Sequence, residues 1–136
     1  MKTIKFIQFL IIILFLFSSC QDIAYNEKII GRYYLIAIDY LEQMNLSFQL
    51  ENNNSVGIIG QTVFAVGFNK NYIIVKQHPY NNRKITNYYI VLMHHEMTYW
   101  SEKGVLGPYN LEEFEQKRQE LNISDIKFTV VKESLK

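Results

Sequence analysis

The chain has 136 residues, 49% hydrophobic and 20% charged, the composition of one globular domain with a short extra segment rather than of two cores or a disordered polymer. Fourteen basic side chains against thirteen acidic ones give a net charge near +1, without the basic excess that a dedicated nucleic-acid binder needs to neutralise phosphates. Cys20 is the only cysteine, so an internal disulfide is excluded and packing has to hold the fold.

The first element is a leader. Lys2 and Lys5 precede a twelve-residue run over residues 6–17, apolar except for Gln8, and the small polar pair Ser18 and Ser19 leads to Cys20. A positive start, an apolar middle and a small-residue end make the layout of a secretion signal. The apolar run falls well short of the roughly 20 residues that a helix needs to span a bilayer core. Leu16, Phe17, Ser18, Ser19 and Cys20 resemble the lipobox of bacterial lipoproteins, with Phe17 where leucine is usual. The resemblance implies that residues 1–19 are a signal peptide and that Cys20 receives a diacylglyceryl thioether and becomes the new N-terminus. Gln21, in place of an aspartate, resembles the pattern that directs such proteins to the outer membrane of a host with two membranes.

Removing the leader leaves 117 residues with twelve basic and thirteen acidic side chains, a net charge near −1 and enough chain for a single core. Residues 20–28 read as a lipidated tether, mostly polar, and residues 29–136 as one domain. Eight extended residues reach only about 26 to 29 Å, which holds the domain close to the membrane.

From residue 29 onward, short runs of Ile, Val, Tyr and Phe separated by Asn, Gly and Lys predict strands and turns. The first strand covers about residues 30–39. The second, residues 45–51, places Leu46, Phe48 and Leu50 on one face and Ser47, Gln49 and Glu51 on the other. Asn52, Asn53, Asn54 and Ser55 form a polar loop punctuated further by Gly57 and Gly60. Residues 62–68 are nearly all apolar and suit a central strand. Asn69, Lys70 and Asn71 then make a tight hairpin connection, on the ground that asparagine tolerates positive φ, into a strand over residues 72–77 that ends before Pro79. A second polar turn, residues 81–84, leads to a strand over residues 85–93, which residues 94–100 either extend or follow with another short strand. Gly104, Gly107 and Pro108 break the pattern.

One helix stands out. Asn110 with Glu113 three residues on has capping-box spacing, Leu111, Phe114 and Leu121 share a face, and Asn122 is a stop. A last strand over residues 126–131 points Ile126, Phe128 and Val130 inward. The sum is an α+β fold: an antiparallel, meander-like sheet of about six strands with one helix packed on it.

Candidate chemistry is sparse. His94 and Glu96 share a strand face beside His95, but a catalytic zinc site generally takes three protein ligands, and neither a metal site nor a cofactor is expected. No serine sits in a nucleophile elbow, and the helix glutamates read as capping and solvated charges, so no catalytic residue is expected. A charge asymmetry is more informative: residues 52–95 contain no Asp or Glu, while Lys70, Lys76, Arg83 and Lys84 give them an excess of four positive charges. Lys76, Arg83 and Lys84 are the candidate contacts for a protein or anionic-glycan partner, set against the plainer role of charges that block edge-to-edge strand pairing. Tyr33 with Tyr34, and Tyr88 with Tyr89, place one ring on each sheet face, which leaves one ring of each pair available for contact.

Residues 62–67, residues 73–79 and the stretch from Gly107 to Phe114 resemble a family of small bacterial lipoproteins of unknown function. The resemblance implies export and fold and carries over no functional residue. The expectation is therefore a lipid-anchored protein of the cell envelope that acts by binding. The alternatives are an immunity or inhibitor lipoprotein that neutralises a toxin or lytic enzyme, and a metal-dependent envelope enzyme around His94, His95 and Glu96.

Overall fold

The computed structural model describes residues 23–94 and 104–136, and within them the chain forms nine strands, one α-helix and two short 3-10 turns. Strands β1 (Tyr25–Ile30), β2 (Tyr33–Ala37), β3 (Asn45–Gln49) and β4 (Ser55–Ile59) form one antiparallel sheet in the order β1-β2-β3-β4. Strands β5 (Val63–Phe68), β6 (Tyr72–Gln77), β7 (Asn87–Leu92), β8 (Val105–Tyr109) and β9 (Val130–Val131) form a second, in the order β8-β7-β6-β5-β9. Helix α1 (Leu111–Glu120) packs on β7 and β8.

The class is α+β, but the strands divide into two sheets where the alternation pattern suggests one sheet of about six. The extra strands lie at sheet edges. A turn at Gly31 (φ 57°) separates β1 from β2, splitting the expected first strand; β4 contains Gly57 and β8 contains Gly107 and Pro108, residues that read as loop punctuation. An edge strand pairs on one side only and tolerates glycine and proline that a central strand would reject. β1 also begins at Tyr25, so residues 25–28 of the stretch read as a tether are paired with β2. Residues 95–100, where a strand extension is expected, lie outside the described residues.

The second sheet is covered on both faces. Toward the first sheet, Val63, Val66, Ile73, Val75 and Val91 join Tyr33, Leu35, Met44, Leu46 and Phe48 in one core. Toward the helix, Ile74 and Ile90 join Phe114, Ile123 and Ile126 in another. That double cover explains the uninterrupted apolar run of β5, buried from Val63 to Gly67. It also corrects the reading of Tyr88 and Tyr89: Tyr88 stacks on Phe114 at 4.8 Å and Tyr89 packs against the inter-sheet core, so neither ring is left bare. Burial raises the pKa of both hydroxyls, as it does for Tyr33.

The β5–β6 hairpin forms over the predicted residues, by a different device. Asn69 does not take positive φ; its side-chain oxygen accepts hydrogen bonds from the backbone of Asn71 (2.9 Å) and Tyr72 (2.8 Å), and this closes the turn. Positive φ occurs instead at Asn53, Asn81 and Asn122, each in a predicted turn or stop. Helix α1 has its capping box, with Glu113 N–H donating to Asn110 Oδ1 (3.0 Å) and Asn110 N–H to Glu113 Oε2 (2.9 Å). Its buried stripe, however, is Phe114 and Arg118, and Leu111 is 56% exposed. Arg118 donates to the carbonyls of Ser124 (2.7 Å) and Ile126 (2.6 Å) and pairs with Glu115 (2.8 Å), tying the helix to the strand-less segment after it.

That segment replaces most of the expected last strand. Ile126 and Phe128 pack on the helix side, and only Val130 and Val131 pair with β5. It passes so close to β5 that a Cβ on Gly67 would lie 2.1 Å from the Lys127 carbonyl oxygen. Gly67→Ala is therefore expected to cost about 1 to 3 kcal/mol or more in a urea denaturation; an unchanged midpoint would show that the segment does not cross there.

β1 is held to the C-terminal segment by Lys132, which bonds Glu27 at 2.6 Å and the Tyr25 hydroxyl and lies 4.4 Å from the centre of the Tyr25 ring. Hydrogen bonds from Lys132 and Tyr25 lower the Glu27 pKa below its usual 4.5. Burial opposes the charge on Lys132, but its bonds to Glu27 and Tyr25 outweigh burial and lift it above its usual 10.5. A depressed carboxyl stabilises above its unfolded value and stops doing so as pH falls through the folded one; a raised amine stabilises below its unfolded value and stops as pH rises through the folded one. Lys132→Met should cost on the order of 1 kcal/mol near neutrality. The difference from wild type should narrow below pH 4.5 and again above pH 10.5 in a pH series of denaturation curves.

Candidate functional site

At one end of the sandwich the β2–β3 connection, the link into β5 and the β6–β7 loop converge around a cavity of about 130 Å³. Thr62 fastens them together. Its hydroxyl donates to the Glu42 carbonyl (2.6 Å), its backbone exchanges hydrogen bonds with His78 (2.8 and 2.9 Å), and the next residue, Val63, donates to the Met44 carbonyl (2.8 Å). Gln77 adds a bond from its side-chain amide to the Gln61 carbonyl (2.7 Å) and accepts one from Asn87 (3.1 Å).

His78 borders this cavity and is 4% exposed. Its ring stacks on Phe64 with centroids 4.3 Å apart, and Nδ1 lies 2.7 Å from the Ile85 carbonyl oxygen. A carbonyl oxygen only accepts, so Nδ1 carries a proton, and in the neutral tautomer this leaves Nε2 as an acceptor. Nε2 is buried without a protein partner, an arrangement that costs about 1 to 3 kcal/mol and that native interiors seldom keep. At the rim, Tyr40 is 50% and Tyr80 67% exposed. Arg83 reaches across to Glu42 (3.3 Å) and donates to the Ser134 carbonyl (3.0 Å), which pins the β6–β7 loop to the C-terminal turn. Tyrosine and arginine around a small recess are the residue types that most often carry binding energy at interfaces.

The chain belongs to the DUF3997 family. Its description is a protein of unknown function, and its profile matches residues 30–132. No curated protein and no solved structure matches the chain significantly. The family match takes in β2 through β9 and the helix, and with them every residue of the cavity, while residues 1–29 lie outside it. DUF3997 membership therefore bears on the folded domain and does not extend to residues 1–29.

Within the DUF3997 domain the predicted contact residues fall apart into two groups. Lys76 lies on the helix-covered face of β6, its amine 4.5 Å from the centre of the Phe128 ring and 5.7 Å from that of Tyr88. Arg83 and Lys84 sit in the exposed β6–β7 loop beside the cavity, and Lys70 is in the hairpin at the other end of β6, roughly 20 Å away along a six-residue strand. The histidines do not converge either: His78 follows β6 and His94 follows the antiparallel β7, so they stand at opposite ends of the sheet. His94 donates its backbone N–H to the Tyr33 hydroxyl (3.1 Å), and Gly104 passes close to its ring. His95 and Glu96 lie outside the described residues. Among the described residues no group of three His, Cys, Asp or Glu side chains is placed to hold a metal ion. Tyr40, Glu42 and Thr62 carry no sequence pattern, and only the fold brings them to His78.

The two groups should separate experimentally. Lys76→Ala removes a cation and an aliphatic stem packed on two aromatic rings and is expected to cost about 1 to 2 kcal/mol of stability. Arg83→Ala and Lys84→Ala should each cost less than about 1 kcal/mol, because exposed ion pairs are worth little. Thermal and urea unfolding of the three variants measures the difference.

Proposed function

We propose that the chain is the precursor of a lipid-anchored binding protein of the cell envelope, cut before Cys20, modified there, and placed in the outer membrane where the host has two. The observation that carries this reading is the order of residues 2–20: two lysines, a twelve-residue run that is apolar but for one glutamine, a pair of serines and the only cysteine. An unpaired thiol in an exported protein is otherwise a liability, and a diacylated cysteine with a further acyl chain meets the two-chain requirement for stable anchoring. The start of β1 at Tyr25 also fits, because it leaves only a few residues between the lipid and the folded domain.

The binding role is proposed for the cavity beside His78 rather than for Lys76, Arg83 and Lys84 as one contact surface. Its ligand would bring a hydrogen-bond donor for the imidazole and an apolar or ring-shaped face for Tyr40 and Tyr80, with Arg83 and Lys84 at the rim for a negatively charged protein or glycan group.

Intact-mass analysis of the protein purified from its host membrane is expected to show the loss of residues 1–19 and the addition of lipid to Cys20. Cys20→Ser should move the protein out of the membrane fraction. A leader that stays attached, or an unmodified thiol on a protein that still sediments with membranes, would refute the anchor.

A further inference from the structure

The end of the sandwich that carries the cavity is also the end from which the N-terminal chain emerges. The Ala24 N–H donates to the Ile38 carbonyl (2.9 Å), so the first described residues, 23 and 24, lie beside the β2–β3 connection. Six of the nine exposed large hydrophobic side chains among the described residues lie at this end: Ile23, Ile38, Tyr40, Leu41, Tyr80 and Ile85. Ile23 is 55% and Ile38 53% exposed, values that no packing requirement of the domain explains. At the opposite end the described turns, at Gly31, residues 50–54 and residues 69–71, carry mainly asparagine, glycine and charged residues, with Phe68 and Leu92 the two exposed large hydrophobics among the described residues there.

We propose that this end is a membrane-docking surface, and that its occupant is the lipid surface in which the protein's own anchor sits. This rests on the lipid attachment at Cys20 proposed above. Four residue steps separate Cys20 from Ala24, a reach of at most about 13 to 14 Å. A tether that short cannot lift the domain clear of the headgroups, and it presents the surface nearest its own exit point. Aliphatic and tyrosine side chains are the residues that gain most from the boundary between headgroups and acyl chains. The charges at this end largely cancel: Arg83 pairs with Glu42, Lys136 pairs with Glu133, and the exposed Asp39 and Lys84 oppose each other in sign. Docking is therefore driven by apolar burial and does not depend on anionic lipid. It places the cavity at the membrane surface, where the groups within reach are those of lipids or of molecules lying on the bilayer.

The full-length lipidated protein tests this, because lipid occupies its only native thiol and a new cysteine can be labelled alone. Ile38→Cys and Leu41→Cys, each carrying an environment-sensitive fluorophore, are compared with Glu51→Cys in the turn at the far end, in phosphatidylcholine vesicles with and without phosphatidylglycerol. All three positions are exposed, so thermal unfolding should match wild type and serves as the folding control. The expected result is a blue-shifted emission at 38 and 41, quenched by spin-labelled lipid and protected from aqueous iodide, with neither effect at 51 and no dependence on phosphatidylglycerol. Labels at 38 and 41 that remain as wet as the one at 51 on a lipidated, vesicle-bound protein overturn the docking surface and leave the anchor standing. Labels protected from iodide but untouched by the lipid quencher mean that a second copy or another protein covers this end, which also overturns it. A protein that carries no lipid and does not float with vesicles removes the anchor and the docking surface together.

Discussion

The second sheet is buried on both faces, and most other features follow from that constraint. With the first sheet on one side and the helix with its trailing segment on the other, β5 and β6 have no wet face on which to place polar residues. Three polar residues on β6 or directly after it are each bound or stacked. Lys76 lies over Phe128 and Tyr88, Gln77 bonds Gln61 and Asn87, and His78 stacks on Phe64 and bonds the Ile85 carbonyl. The one atom in this group left without a protein partner is His78 Nε2, at the end where the cavity lies. Close approach of the chain at Gly67 belongs to the same constraint, since the segment that covers β5 has to reach its backbone.

The two ends of the sandwich are chemically different. Among the described residues, one collects the start of β1, the cavity, Tyr40 and Tyr80 and most of the exposed aliphatic residues, while the other shows polar turns with Phe68 and Leu92 exposed beside them. A domain free in solution has no reason to sort its exposed apolar residues in this way, because scattered single ones cost little. Sorting toward the chain's exit fits a body held on a short tether. DUF3997 membership covers the domain and leaves its partner open, so the asymmetry between the ends is the most direct structural guide to what the domain meets.

Edge strands account for most of the difference between pattern and fold. β1, β4 and β8 carry Asn26, Lys28, Ser55, Gly57, Gly107 and Pro108, residues that read as linker or turn. Each is a strand because a neighbour offers it a row of backbone partners, which is a property of the neighbour and of the folding of distant segments together. The exposed Leu111 and the buried Arg118 have the same origin. Helical periodicity marks which residues share a face but not which face the sheet will cover, and Arg118 can be buried because the Ser124 and Ile126 carbonyls come to meet it.

The sequence by itself determined the elements whose cause is local: the β5–β6 hairpin, the capped helix from Asn110 and its stop at Asn122, the α+β class, and the leader-like order of residues 2–20. Each depends on groups within a few residues of one another, so the pattern and the physics span the same length. Tertiary structure alone decided the division into two sheets, the strands at their edges, the separation of Lys76 from Arg83 and Lys84, and the meeting of Tyr40, Glu42, Thr62 and His78 around one cavity. Those outcomes depend on which faces and edges are covered by chain far away in sequence, and no spacing along the chain records that.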